Sequence, residues 1–264
     1  MSDAIVVPQA VAQRRVPPLG GFNGTFLSLE VRRLLRNRRT TIFTLVMPVA
    51  FYFLFRNGRR GATTVDGVSL NAYVMVSLAV YGAMVASTAG GAMVAVERAL
   101  GWSRQLRLTP LRPLAYMAVK VLSAMVLGLM SVVVVFIAGA ASGVNVPASV
   151  WLLSGLLAWG GALVFAAFGL LMGYLFPSEN VMQVIGPVLA LSALFGGIFV
   201  PLTTLGSTFQ TIAQYTPAYG IGQLARSPLV GSGFTAGAVA NIVGWTAAFV
   251  AGAALLFRRD TKRV

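Results

Sequence analysis

Six long apolar stretches, divided by short polar or basic segments, constrain this chain more than any other feature. They are 40–55, 72–96, 114–138, 150–176, 181–200 and 236–257. A helix needs about 20 apolar residues to cross a bilayer, and only a structure that satisfies its own backbone groups can do so. The stretch Thr40–Phe55 is short and holds Pro48, and Phe43, Leu45, Val46, Phe51 and Phe53 carry it. Proline in a membrane helix is tolerated where neighbours satisfy the freed carbonyl. With 57% hydrophobic and 10% charged residues, the chain lacks the charge to cover a soluble globule, which typically carries about 25%. The expected fold is an all-α integral membrane protein with six transmembrane helices.

Its charges are lopsided, with twenty Lys+Arg against six Asp+Glu and a net charge of +14. A nucleic-acid binder would set such a charge on a solvated surface. Here the basic residues flank apolar runs, which is the pattern of juxtamembrane anchors. With the N-terminus in the cytoplasm, fifteen basic residues fall inside: Arg14, Arg15, Arg32, Arg33, Arg36, Arg38 and Arg39, then Arg98, Arg104, Arg107 and Arg112, then Arg258, Arg259, Lys262 and Arg263. Four fall outside, namely Arg56, Arg59, Arg60 and Arg226. The expectation is a multi-pass protein of the cell membrane with both termini cytoplasmic. The group Arg56–Arg60 runs against the rule.

Residues 1–21 hold Pro8, Pro17 and Pro18 without a continuous apolar core. They read as a disordered cytoplasmic tail rather than a signal peptide. Over 22–39, Leu27, Val31, Leu34 and Leu35 form one helical stripe with Arg32, Arg33 and Arg36 on the other side. This predicts an amphipathic helix in the interface; the alternative is a solvated helix that merely precedes the first span. Residues 40–257 are the transmembrane domain and 258–264 a cytoplasmic tail. The stretch 201–235 is too long and too apolar for a structureless loop, so short helices folding back to the membrane are expected.

Little in the chain supports chemistry of its own. It has no Cys and no His, which removes thiolate ligands and the commonest general base. The acids are Asp3, Glu30, Asp66, Glu97, Glu179 and Asp260, all in tails, loops or helix ends and none at metal-ligand spacing. No catalytic or metal residue is expected. No G-x-x-x-x-G-K-[ST] loop occurs, so the chain is not its own P-loop ATPase. A proton- or sodium-coupled carrier keeps an ionisable group near mid-membrane. Lys120 is the candidate, but it lies one to two turns inside and is expected to snorkel, so that Lys120→Met should leave transport intact.

Small residues recur every fourth position: Gly82, Ala86 and Gly90; Gly169 and Gly173; Gly244, Ala248 and Gly252. Such spacing lets membrane helices approach closely. In the fifth stretch, Gly186-Pro187 and Gly196-Gly197 should bend or interrupt the helix, either for packing or as part of a moving pathway.

Two motifs carry a family resemblance. Glu97-Arg98, Gly101, Leu106, Thr109-Pro110 and Pro113 read E-R-x-x-G-x-x-x-x-L-x-x-T-P-x-x-P. This resembles the loop after the second helix in ABC transporter permeases of the type-2 exporter family, where a short cytoplasmic helix docks on the nucleotide-binding subunit. Gly197-Ile198-Phe199-Val200-Pro201-Leu202, then Phe209, Tyr215, Thr216-Pro217 and Tyr219, resemble the end of that family's fifth helix and its re-entrant external segment. Thr203-Thr204 stand where acidic residues often follow the proline. The resemblance spans residues 22–258, and among members the chain is similar to drug and antibiotic exporter permeases of the daunorubicin-export kind.

That resemblance implies a permease subunit moving an amphipathic or hydrophobic compound, such as a drug, antibiotic or lipid-like molecule, outward by alternating access. It implies a separate ABC ATPase in two copies, holding ATP and Mg while this chain binds no cofactor. It also implies a second permease chain, identical or homologous. Membrane lipid is a partner and nucleic acid is not. The ATPase-coupling residues would be Glu97, Arg98, Gly101, Trp102, Arg104, Leu106, Thr109 and Pro110, with Trp102 and Leu106 filling a partner groove. The pathway and gate would be Asn71, Tyr73, Tyr81, Asn180, Gln183, Phe195, Gly196, Gly197 and Pro201. Glu97, surrounded by arginines, is expected to pair and to hold the loop against the interfacial helix. The competing class is a secondary carrier or channel without an ATPase, which would make Lys120 essential.

Overall fold

The computed structural model describes residues 18–57, 64–65, 67–101 and 111–262. Arg14 and Arg15, Arg59 and Arg60, and Trp102, Arg104, Leu106, Arg107, Thr109 and Pro110 lie outside the described residues. Pro18–Gly21, expected within the disordered tail, form a 3-10 turn whose Gly20 carbonyl accepts the Arg112 N–H at 2.8 Å.

Helix α1 spans Gly24–Arg36 and α2 Arg38–Asn57. Asn23 caps α1 by accepting the Thr25 N–H, as a polar N-cap does. At Asn37 the chain turns out of α1, and Thr41 Oγ1 donates to the Leu34 carbonyl left behind. Next come two short strands, β1 Thr64–Val65 and β2 Val68–Ser69, paired antiparallel. This hairpin departs from the all-α expectation, but the other regular elements among the described residues are helical: α3 Leu70–Ala99, α4 Pro113–Ala141, α5 Ala148–Gly161, α6 Leu163–Leu175, α7 Val181–Phe195, α8 Ser207–Ala213, α9 Pro217–Val230 and α10 Ala236–Lys262.

Four helical spans among the described residues are long and apolar enough to cross a membrane: Leu70–Ala99, Leu114–Ala141, Ala148–Leu175 and Ala236–Arg259. Thr40–Arg56 and Val181–Phe195 are shorter apolar helices. The stretch 150–176 is one span, Ala148–Leu175, in which α5 meets α6 at Ala162; Ala162 N–H donates to Ala158 and Ala166 N–H to Ala162, and Ile221 of α9 packs on Gly161. The stretch 181–200 ends as helix at Phe195, because Gly197 takes φ +71° and turns the chain back. Residues 201–235 fold into α8 and α9, and Asn241 and Trp245 of α10 donate to the carbonyls of Gln214, Thr216 and Tyr215 at their junction.

Helix α3 is the axis of the bundle. Its apolar window is 83% buried, whereas that of α10 is 11% buried. Close approach explains the difference. A Cβ at Gly90 would meet the Ala124 backbone of α4, and one at Gly169 would meet the Thr88 carbonyl. Hydroxyls tie the seams, with Thr88 Oγ1 donating to Phe165 O at 3.2 Å. Small residues thus bring backbones together where water drives nothing. The stripe Gly244, Ala248 and Gly252 behaves differently: among the described residues a Cβ at Gly244 would meet nothing within 4 Å, and at Gly252 the nearest atoms belong to Leu171.

Proline sites show how the bilayer's demand for satisfied carbonyls is met. Pro48 frees the Thr44 carbonyl one turn back, and Ser131 Oγ reaches it at 3.4 Å. Pro228 frees the Leu224 carbonyl, which Ser227 Oγ holds at 2.8 Å. Gly82 makes room for the Pro48 ring.

Candidate functional site

The alternation of the helices gives the bundle two ends. At one, α1, the last turn of α3 and the first turns of α4 converge on Glu97, a buried carboxylate. Lys120, also buried, donates to Glu97 and, at 2.6 Å, to Glu30 of α1. Arg33 Nη1 donates to Glu97 at 2.6 Å and lies 3.7 Å from Glu30. The Tyr116 hydroxyl donates to the second Glu97 oxygen. Two carboxylates, a lysine and an arginine thus balance in charge, and of the four only Arg33 reaches the surface, its side chain 43% exposed.

Glu97 therefore pairs with Arg33 of α1, and it lies within this chain's own core. Lys120 does not snorkel. It is 1% exposed because the α4 face carrying Tyr116, Val119, Lys120 and Ser123 is pressed against its neighbours. A buried ammonium is tolerable only when paired, and two acids on other helices pair it. Sequence reasoning missed Glu30, although an acid between Leu27 and Leu34 on the apolar stripe was the available signal. Leu34 confirms the stripe's direction by packing with Ala86 and Leu127 of α3 and α4.

Arg98 serves the same end differently. Its Nη1 donates to the carbonyls of Gly173 and Tyr174 at the C-terminus of α6 and its guanidinium sits 5.6 Å from the Tyr174 ring. A cation there answers orphan carbonyls and the helix dipole together. Gly101, at φ +72°, turns the chain out of α3. So the segment leading to residues 102–110 is tied to α1 and α4 through Glu97 and to α6 through Arg98.

Along α3 the half-buried residues form one stripe, from Asn71, Val74, Tyr81 and Val85 near the other end to Met93 and Val96. Asn71 and Tyr81 lie on this stripe, half-buried. Tyr73 does not; it is buried beneath Arg226, 5.0 Å from the guanidinium. Asn180 and Gln183 are exposed at the start of α7, at the Glu97 end, so the structure does not bring them to Asn71 and Tyr81. Gly196, Gly197 and Pro201 are buried at the far end of α7, and Phe195 stacks on Phe209 of α8. Gly196 admits no Cβ, because Ala218 of α9 would lie 2.5 Å away.

Arg226 is the second residue that sequence reasoning misplaced. Read as an outer-loop arginine, it lies in α9 and is 4% exposed. Its Nη1 donates to Ser77 Oγ of α3 at 3.1 Å and to the Gly197 carbonyl at 3.2 Å. The signal was its place beside the small-residue row Ala218, Gly222 and Ala225, which is buried or nearly so. Arg56 also departs from a free outer charge, since its Nη2 donates to the Ser142 carbonyl at 3.1 Å.

A family model described as ABC-2 type transporter matches residues 24–230, from the start of α1 to the end of α9. A protein of Bacillus subtilis (strain 168), named "Putative transport permease YvfS", is 33% identical over 196 residues, covering 73% of this chain and 79% of its own length.

Proposed function

Because this chain belongs to the ABC-2 type transporter family, and is thus a permease component and not an ATPase, we propose that it is the membrane subunit of an exporter for amphipathic or hydrophobic compounds. The relative from Bacillus subtilis, named as a transport permease, supports the same class. Permeases of this family work with ATPase subunits, and the proposed assembly has two permease chains and two ATPase chains in the cell membrane. ATP and Mg belong to the ATPase. The proposed topology has six spans, α2 and α7 included, with both termini cytoplasmic.

The observation that carries this reading is the knot at Glu97. A loop that transmits force from a partner must be stiffly joined to the helices it moves. Glu97 joins α3 to α1 and α4, and Arg98 joins it to α6. The residues after Gly101, with Trp102, Arg104, Leu106, Thr109 and Pro110, are proposed as the docking surface for the ATPase. Arg33 and Lys120 enter as positioning residues that keep Glu97 in place. Cargo is proposed to pass along the uncharged stripe of α3, with Gly196, Gly197 and Pro201 closing its far end.

The test is reconstitution. The chain should co-purify with an ABC ATPase, and vesicles holding both should move a hydrophobic dye only with ATP and Mg. Leu106→Asp should abolish that movement while the permease remains inserted. Dye movement driven by a proton gradient without any ATPase would replace this reading with a secondary carrier.

A further inference from the structure

Phe136 of α4 and Trp151 of α5 meet edge-on across the seam between their helices, ring centroids 5.2 Å apart at 80°. Gly155 allows this, since a Cβ there would lie 3.1 Å from the Phe136 ring. Both rings pack back against the core. In front of them the two helices do not close. A groove of about 380 Å³ follows the seam, from Leu129 to Ala140 on α4 and from Trp151 to Leu156 on α5. Every residue that lines it is apolar. Its rim is open, with Ile137 62% and Leu152 64% exposed. The seam between α4 and α3 is sealed instead, Gly90 lying against the Ala124 backbone.

Close-packed proteins keep few voids larger than a water molecule, and water does not settle in an apolar one. This groove lies on the membrane span Leu114–Ala141, so what fills it must be hydrocarbon. From Leu129 to Ala140 the helix rises about 16 Å, at about 1.5 Å per residue. That is about half of a hydrocarbon core of roughly 30 Å, the reach of one acyl chain within one leaflet. The groove reaches the end of α4 away from Lys120. Trp151 stands there in the first turn of α5. Trp159 and Trp245 donate their indole N–H to the carbonyls of Met125 and Tyr215. Among the described residues the Trp151 indole N–H has no hydrogen-bond partner. A tryptophan with an apolar body and an open N–H suits the membrane–water boundary, where lipid oxygens accept.

We propose that the α4–α5 groove is a binding site for one phospholipid. An acyl chain lies along Val132 and Phe136, and the Trp151 indole donates to an ester or phosphate oxygen. The lipid completes packing that the side chains leave open and holds α5 beside α4. No charged group lines the groove, so the chain is recognised and the head-group charge is not. With the Glu97 end cytoplasmic, as in the proposed topology, this lipid belongs to the outer leaflet.

The test uses the full-length permease, reconstituted with palmitoyl-oleoyl phosphatidylcholine or phosphatidylglycerol, re-extracted in detergent and read by native mass spectrometry. Wild type should keep one phospholipid per chain, of either head group. Gly155→Leu puts a side chain into the groove and should lose it. Gly160→Leu, on the same helix where a Cβ meets nothing within 4 Å, should keep it. Ala140→Phe fills the groove from α4 and serves if Gly155→Leu does not fold. Trp151→Phe keeps a ring without the N–H and should weaken retention about fivefold, the scale of one neutral hydrogen bond. Equal retention in the groove-filled variants and Gly160→Leu overturns the site. So does displacement of the lipid by ethidium, which would make the groove a cargo site. Disulfide-linked dimers formed through Leu152→Cys would put a second copy of the chain there and overturn it too. Lipid retention does not depend on ATP-driven transport, so the exporter reading can fail while this site stands.

Discussion

The two ends of α3 hold their neighbours by opposite chemistry. At Glu97 the joints are ionic, buried and mutually dependent: Lys120 serves two acids, and Glu97 serves Lys120, Arg33 and Tyr116. Removing one partner of a buried ion pair strands the other charge and costs about 3–5 kcal/mol. At Phe199 the joints are ring contacts with Tyr81, Phe51 and Phe55 of about 0.5–1.5 kcal/mol each, beside Arg226, which donates to Ser77 Oγ and the Gly197 carbonyl. One end is therefore hard to distort and the other can be exchanged one contact at a time. A transporter driven from a partner ATPase needs that contrast: a stiff end to receive motion and a compliant end to open.

The largest effect should come from Lys120→Met, which leaves Glu30 and Glu97 facing each other with Arg33 alone to offset two carboxylates. Stability should fall by about 3–5 kcal/mol, seen as lost monodispersity on fluorescence-detected size exclusion after mild heating. Glu30→Gln in the same chain should recover part of it. A wild-type melting profile for Lys120→Met would show that the ionic end is not the stiff one. Glu97→Gln keeps the shape but weakens charged hydrogen bonds worth about 1.5–3 kcal/mol. The complex should still assemble and hydrolyse ATP, with transport per ATP sharply reduced.

Arg226→Met should cost about 1–3 kcal/mol, the penalty for buried polar groups left unpaired, and act at the other end only. ATPase co-purification should stay normal and ATP-driven dye efflux should fall. Loss of ATPase binding instead would break the separation of the two ends. The smallest effect belongs to Phe55→Leu, which gives up one stacked pair, about 0.5–1.5 kcal/mol. Thermal stability should change little on fluorescence-detected size exclusion after mild heating.

Apolar runs and glycine turns were legible in the sequence because their causes are local. A bilayer selects composition over about 20 residues, so α3, α4 and α10 sit where the runs predicted them. Phe195 ends α7 because the glycines that follow allow a turn. The E-R-x-x-G motif placed Glu97 and Arg98 at the end of α3 before any contact was known. The packing at Gly161 was harder to read, since Ile221, sixty residues later, fills the space a Cβ would need there.

Tertiary structure alone decided the partners. Glu30 and Lys120 are ninety residues apart, Ser77 and Arg226 one hundred and forty-nine. Helical periodicity says which face a side chain is on but not which helix it meets. A lysine two turns into an apolar span and an arginine in a long external stretch both have an inexpensive local solution in snorkelling or solvation. Both are instead buried and bonded, because the close approach of α3 to its neighbours removes the route to water. The sequence by itself determined a membrane bundle with its basic and aromatic ends. Packing decided which charges became joints, since a charge sealed from water must find its partner within the protein.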